Sequence, residues 1–246
     1  MSTTIAPARP ATPQRPRRRG PALATALVLL ATATTLTNRV LPGWAYPVCG
    51  VVTSAALIGL ARWAGLRPAA IGLDRRQLKR GALAGMAGVA VVGVAFGIAA
   101  AVPSLNAVFR DERIGSPGAG QLLWLTLVRI PLGTVLIEEI AFRGVLPALL
   151  GADERWRWGP VLGAAGLFGL WHVLPSLALT QNSMVQTTFG GLPVAVLSVL
   201  AMLAAAGVGV TLHWLRHTGR SVLAPVLVHL ATNSGGLLVA WLYLPS

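Results

Sequence analysis

The sequence predicts an all-α polytopic membrane protein, a bundle of about seven (six to eight) transmembrane helices. Three observations lead there. Of the 246 residues, 54% are hydrophobic and 11% are charged, whereas a soluble domain carries about 25% charged residues. Apolar runs recur along the chain, and at roughly 20 residues per span its length holds six to eight spans and no large soluble domain. The net charge is +13, and most of the basic residues lie in the gaps between those runs or in the N-terminal tail. The basic residues form no stripe with aromatics, so they read as membrane topology and argue against a nucleic-acid partner.

In order along the chain, residues 1–20 interleave Pro7, Pro10, Pro13 and Pro16 with Arg9, Arg15, Arg17, Arg18 and Arg19. They are expected to be a disordered basic tail on the cytoplasmic side, followed by a helical membrane domain over 21–246. The first apolar run resembles a signal peptide, but further spans follow, so an uncleaved first helix is expected. The spans are expected at about 21–39, 44–62, 81–103, 121–149, 159–179, 192–214 and 222–244. The third is rich in Gly and Ala, which lets neighbours approach closely without specifying an oligomeric state. The fourth is long enough to be one tilted helix or two pieces broken at Pro131.

Arg62, Arg67, Arg75, Arg76, Lys79 and Arg80 lie in the second gap, Arg155 and Arg157 in the fourth, and Arg216 and Arg220 in the sixth. The alternate gaps hold Arg39, then Arg110 and Arg113, then none. This asymmetry predicts a multi-pass protein of the cell membrane with a cytoplasmic N-terminus and, for seven spans, an external C-terminus. Trp44, Trp63, Trp124, Trp156, Trp158, Trp214 and Trp241 fall at span ends, as an interfacial belt requires. Trp171 is the exception, deep in the fifth span beside His172. The single Cys49 excludes an intrachain disulfide and any multi-cysteine metal site.

The candidate site starts at Glu138 and Glu139. The chain has seven acidic residues, and Asp74, Asp111, Glu112, Asp153 and Glu154 all occupy polar connectors. Glu138 and Glu139 alone lie within an apolar run. An ionisable residue inside a span costs at least about 2.5–3.5 kcal/mol, so a functional role is the default reading. Adjacent helical residues point about 100° apart, so the two need not share a role. Glu139 and Arg143 are spaced i,i+4 in the favourable order for an ion pair. Glu138 precedes the hairpin centre at Arg155 by 17 residues and His172 follows it by 17. Two antiparallel helices would therefore place this carboxylate opposite the imidazole. His229 and Asn233 share one face of the last span.

Carboxylates, imidazoles and an amide converging in low dielectric suit water activation, with a Glu as general base and a His/Asn pair as oxyanion donors. Zn²⁺ ligation by His and Glu is also chemically open, with Glu138, His172 and His229 as the ligands, although the His-Glu-x-x-His pattern is absent. His213 and His217 read as interfacial residues beside Arg216, and Arg129 as a snorkelling or pairing residue. Two other functions fit the same polar residues. One is a proton- or ion-coupled transporter with Glu138, Glu139, His172 and Arg129 as a relay, though no internal repeat supports it. The other is a catalytically idle immunity or scaffold protein.

Glu-Glu-x-x-x-Arg at 138–143, Phe-x-x-x-His at 168–172 and His-x-x-x-Asn at 229–233 occur in this order on successive helices. Together they resemble the CAAX protease and bacteriocin-processing (CPBP, or Abi) intramembrane endopeptidases, which include the type II CAAX prenyl endopeptidases. The resemblance covers about 121–246. It implies a peptidase acting near the cytoplasmic face on a peptide or membrane-protein substrate in the lipid bilayer, without a cofactor. Glu138 and His172 would activate water, His229 and Asn233 would form the oxyanion hole, and Glu139 and Arg143 would support the site.

Overall fold

The computed structural model describes residues 18–109, 115, 117–152 and 154–243. It is 82% helical and has no strand among the described residues. Six helices are long and apolar enough to cross a membrane: α1 (Arg19–Val40), α2 (Gly43–Trp63), α3 (Arg75–Ala101), α4 (Ala119–Leu149), α6 (Val194–Gly219) and α7 (Leu223–Leu242). Between them stands the shorter α5 (Trp158–Trp171). Most of the expected tail lies outside the described residues, as do Arg110, Asp111, Glu112, Arg113 and Asp153.

The fifth segment is the main departure from the expected spans. The apolar run predicts a span at 159–179, yet α5 ends at Trp171 after 14 residues. That is about 21 Å of helix, short of a hydrocarbon core of about 30 Å. His172 leaves the helical region at φ −86°, ψ 2°, and Pro175 has no N–H with which to resume the ladder. The chain continues through short helices at Val173–Ser176 and Ser183–Phe189. The second is capped by the Asn182 side chain, which accepts from the Met184 and Val185 amides. α5 therefore ends inside the bundle.

α4 takes the opposite course. Its 31 residues form one continuous run of about 46 Å that does not break at Pro131. The missing proline N–H is absorbed by widened turns at Leu125–Arg129, Pro131–Val135 and Ile140–Val145. Such i→i+5 turns tolerate an interrupted ladder and recur at functional sites.

Packing follows the small residues. α5 lies along α6, α3 along α7, and α2 along α4. A Cβ on Gly50 of α2 would run into the Leu132 carbonyl of α4, and one on Gly133 would meet Tyr46 Cβ at 2.9 Å. These two glycines permit near backbone contact between the helices. Arg129 puts its guanidinium 4.3 Å from the centroid of the Tyr46 ring, so it pairs within the bundle. The outward surfaces stay apolar: Leu83, Val91 and Val94 on α3 and Leu203 on α6 are all exposed. That pattern fits a lipid-facing surface.

The polar connectors gather at one end. The buried Arg216 donates to the Ala69 and Ala70 carbonyls at 3.3 and 2.6 Å. Val222 N–H donates to the Gly72 carbonyl, and Arg80 Nε to the Thr218 carbonyl. His213 is buried, and its ring and that of His217 each lie 5.6 Å from the Trp156 ring. Both histidines thus lie at the connector-rich end of α6, His213 buried and His217 half-buried.

The tight α2–α4 crossing makes a stability prediction. Gly50→Val should lower the thermal midpoint in detergent by the equivalent of about 1–3 kcal/mol or more, the usual cost of overpacking. Gly93→Ala, where a Cβ meets open space, should leave it unchanged or raise it. Equal midpoints for the two variants would contradict the packing.

Candidate active site

Every residue from 137 to 149 is buried, which puts Glu138, Glu139 and Arg143 inside the bundle and away from lipid. Glu139 is 0% exposed, Arg143 1%, Glu138 4% and His229 7%. Charges this deep persist only when paired. Arg143 Nη1 lies 3.1 Å from Glu139 Oε1, across one turn of α4. His229 of α7 places Nδ1 2.7 Å from the same oxygen. A carboxylate can only accept, so this contact suits a His229 tautomer that carries its proton on Nδ1. The other imidazole nitrogen, Nε2, stands 3.7 Å from Glu138 Oε2, beyond direct hydrogen-bond reach.

Glu138 is held from its other side. Trp171 Nε1–H donates to Glu138 Oε1 at 3.0 Å. Glu138 Oε2 has no hydrogen-bond partner among the described residues, and neither does Glu139 Oε2. Glu138 is thus clamped through one oxygen and presents the other to His229. The Arg143 guanidinium stacks 3.9 Å from the centre of the Phe168 ring, which supports a cation where hydrogen-bond partners are few. Phe168 also meets the Phe142 ring at 5.2 Å and the His172 ring at 4.5 Å. Aromatic rings thus pack against the charges on the α5 side.

The six expected residues therefore divide. Glu138, Glu139, Arg143 and His229 come together. His172, expected opposite Glu138, instead turns Nδ1 to the Phe168 carbonyl at 2.8 Å. The side chain from α5 that reaches the carboxylate is its neighbour Trp171. At about 100° per residue, one position decides which side chain faces α4. Asn233 lies in the widened turn Ala231–Gly235 of α7, where its Oδ1 accepts from Thr232 Oγ1 at 3.4 Å. No hydrogen bond joins it to the four-residue cluster among the described residues. Trp171 was missed as a site residue, although its signal was present. A tryptophan far from the interface needs a partner for its N–H, and Glu138 and Glu139 are the buried carboxylates among the described residues.

The donor set was also tested against a metal ion. Glu138 and His229 approach one another, but Glu139 is engaged by Arg143 and His229, and His172 is directed to its own helix. No three His, Cys, Asp or Glu side chains among the described residues are arranged to hold a metal.

The buried pair sets a stability prediction. Arg143→Met leaves Glu139 without its cation and should cost about 3–5 kcal/mol, whereas adding Glu139→Gln should recover much of that loss. Thermal unfolding of the two single variants and the double variant measures the coupling. Simple additivity would show that the pair does not interact.

Residues 120–235 match the family model described as Rce1-like, type II CAAX prenyl endopeptidase. Comparison with curated proteins and with solved structures returns no match. The matched segment runs from the start of α4 into α7 and holds Glu138, Glu139, Arg143, Trp171, His172, His229 and Asn233. Over residues 120–235 this chain is similar to the Rce1-like type II CAAX prenyl endopeptidases.

Proposed function

We propose that this chain is an intramembrane endopeptidase in which Glu138 activates the attacking water. One observation carries the reading: a buried carboxylate fixed through one oxygen by Trp171, with its second oxygen unpartnered and 3.7 Å from an imidazole nitrogen. A water bridging Glu138 and His229 would be held between a base and a donor. Glu138 takes a proton from that water as its oxygen bonds to the scissile carbonyl carbon. The resulting oxyanion is met by His229 Nε2–H, with Asn233, one turn further along α7, as the second donor. Collapse of the tetrahedral intermediate breaks the C–N bond, and the proton held by Glu138 passes to the leaving amine.

Charge balance favours these roles. Two carboxylates and one guanidinium leave one negative charge in a dry site, and a protonated His229 neutralises it. The Glu139 carboxylate orients that ring and compensates its charge. Arg143 in turn pairs with Glu139 across one turn of α4. His172 spends Nδ1 on the Phe168 carbonyl, which leaves Nε2 as its nitrogen available for proton exchange. His229 lies six residues into α7 and Glu138 eleven residues from the end of α4. Both are thus about 9–16 Å from the connector-rich end. The basic connectors assign that end to the cytoplasm, so cleavage falls in the cytoplasmic half of a cell-membrane bilayer.

The test is cleavage of a membrane-tethered peptide library by the purified protein in detergent. Glu138→Gln should abolish turnover while thermal stability is retained, and activity in that variant would overturn the assignment. Cleavage should be indifferent to a strong chelator; loss of activity restored by Zn²⁺ would return the site to metal chemistry. Asn233→Ala should lower kcat by roughly 10²–10³ with little change in KM. Trp171→Phe, which removes the hydrogen bond to Glu138 together with part of the ring that packs on Phe142, should lower kcat about tenfold at unchanged KM. A change confined to KM would make Trp171 a substrate contact instead.

A further inference from the structure

Three helices turn apolar faces toward one recess outside the glutamate cluster. Leu27 and Ala31 are spaced i,i+4 on α1, Phe142 and Leu146 on α4, and Leu167 and Trp171 on α5. That spacing puts each pair on one face of its helix, and the three faces line a cavity of about 190 Å³. α1 packs on the last turn of α4, and the short side chain of Ala31 leaves a gap that a larger residue would close. Phe142 and Leu146 form a buried floor, whereas Leu27 and Leu170 at the mouth are exposed. Val28 and Val173 beside them are exposed as well, so the recess is continuous with the lipid-facing surface. Among the described residues, no acidic or basic side chain lines it. Trp171 spends its N–H on Glu138, which leaves the Thr34 hydroxyl as the polar side-chain group of the lining.

We infer that this recess binds an acyl chain of a membrane phospholipid. An apolar void of about 150 Å³ already stays dry and takes up a benzene-sized guest, and a trapped water needs two to four polar partners. One hydroxyl does not supply them. An empty recess would forfeit the dispersion contacts of the atoms that line it. The depth suits a chain and not a headgroup: Leu27 and Ala31 lie about 12 and 18 Å along α1 from Arg19, inside a hydrocarbon core about 30 Å thick. Glu138 is not among the lining residues, and the Trp171 ring stands between it and the recess. An occupant here is therefore out of reach of the carboxylate, in the position of a bound lipid and not of a bond to be cut. The chain presses on the ring whose Nε1–H holds Glu138 at 3.0 Å, so it braces that contact from the lipid side.

The experiment reconstitutes the full chain in bilayers containing phosphatidylcholine with a diazirine at the end of one acyl chain. After illumination, adducts are mapped by peptide mass spectrometry. Val91, exposed on α3, reports lipid contact at the open surface. Phe142 and Leu146 are buried and out of reach of surface lipid, yet they should carry adducts. Ala31→Phe, which puts a ring into the recess, should abolish those adducts while Val91 labelling and the thermal midpoint are retained. Leu170→Ala, which widens the mouth, should raise them. Val91 labelled without Phe142 or Leu146 in the wild type, or adducts on these two that persist in Ala31→Phe, would overturn the proposal. Loss of the adducts on adding a saturating apolar peptide would also overturn it and assign the recess to substrate. Labelling should be the same in Glu138→Gln, so the outcome is independent of the catalytic assignment.

Discussion

The buried charge of Glu138 and Glu139 is the constraint that the rest of the bundle satisfies. Two carboxylates at 4% and 0% exposure cannot remain ionised in an apolar interior without cations and donors brought to them. Arg143 comes from the same helix, but His229 comes from α7 and Trp171 from α5. Three helices must therefore dock in one rotational setting before the charges are compensated. Further polar contacts lock that setting, such as the Ser234 hydroxyl donating to the Thr126 carbonyl between α7 and α4 at 2.9 Å. Close packing then follows: Gly81 and Gly85 of α3 lie against Ser221 and Leu227, which bring α7 in behind the cluster.

Irregular helices serve this arrangement. In lipid, a broken backbone is tolerated only where protein re-satisfies its polar groups. α4 widens three times without breaking, and its last widened turn begins at Ile140, directly after the two glutamates. α5 simply stops, and its final residue is the tryptophan that holds Glu138. Had α5 continued to 179 as a regular span, Trp171 would lie mid-helix, and the chain could not turn away at the level of the site. The short fifth helix and the irregular fourth are two parts of one solution, which brings polar groups to a fixed depth inside an apolar protein.

The first two helices, outside the family match, still shape the surroundings. α1 contributes Leu27, Leu30, Ala31 and Thr34 to an apolar cavity of about 190 Å³ whose other wall includes Phe142 and Trp171. α2 presses against α4 through Gly50 and Gly133. The motif-bearing helices are thus enclosed on one side by elements whose sequences show little beyond hydrophobicity. Their role is to exclude water and lipid from the charged cluster, which strengthens every electrostatic interaction within it.

Much of this was legible in the residues. Composition and apolar run lengths determine a helical membrane bundle, because a bilayer accepts few other architectures. The isolation of Glu138 and Glu139 within an apolar run marks the site, since no other acid in the chain is placed where burial must be compensated. The i,i+4 spacing identifies the Glu139–Arg143 pair, because neighbours within one helix follow from its period alone. Tertiary structure decided the rest. Equal chain distances from Arg155 put Glu138 and the end of α5 at one depth, but depth leaves rotation about each helix axis open. That rotation selects Trp171 over His172 as the partner of Glu138, and sets His229 between both carboxylates, because it depends on packing among helices far apart in sequence. Where α5 ends is likewise a tertiary result: the hydropathy of 159–179 is continuous, and only the surrounding bundle supplies partners for a backbone that leaves the helix at His172.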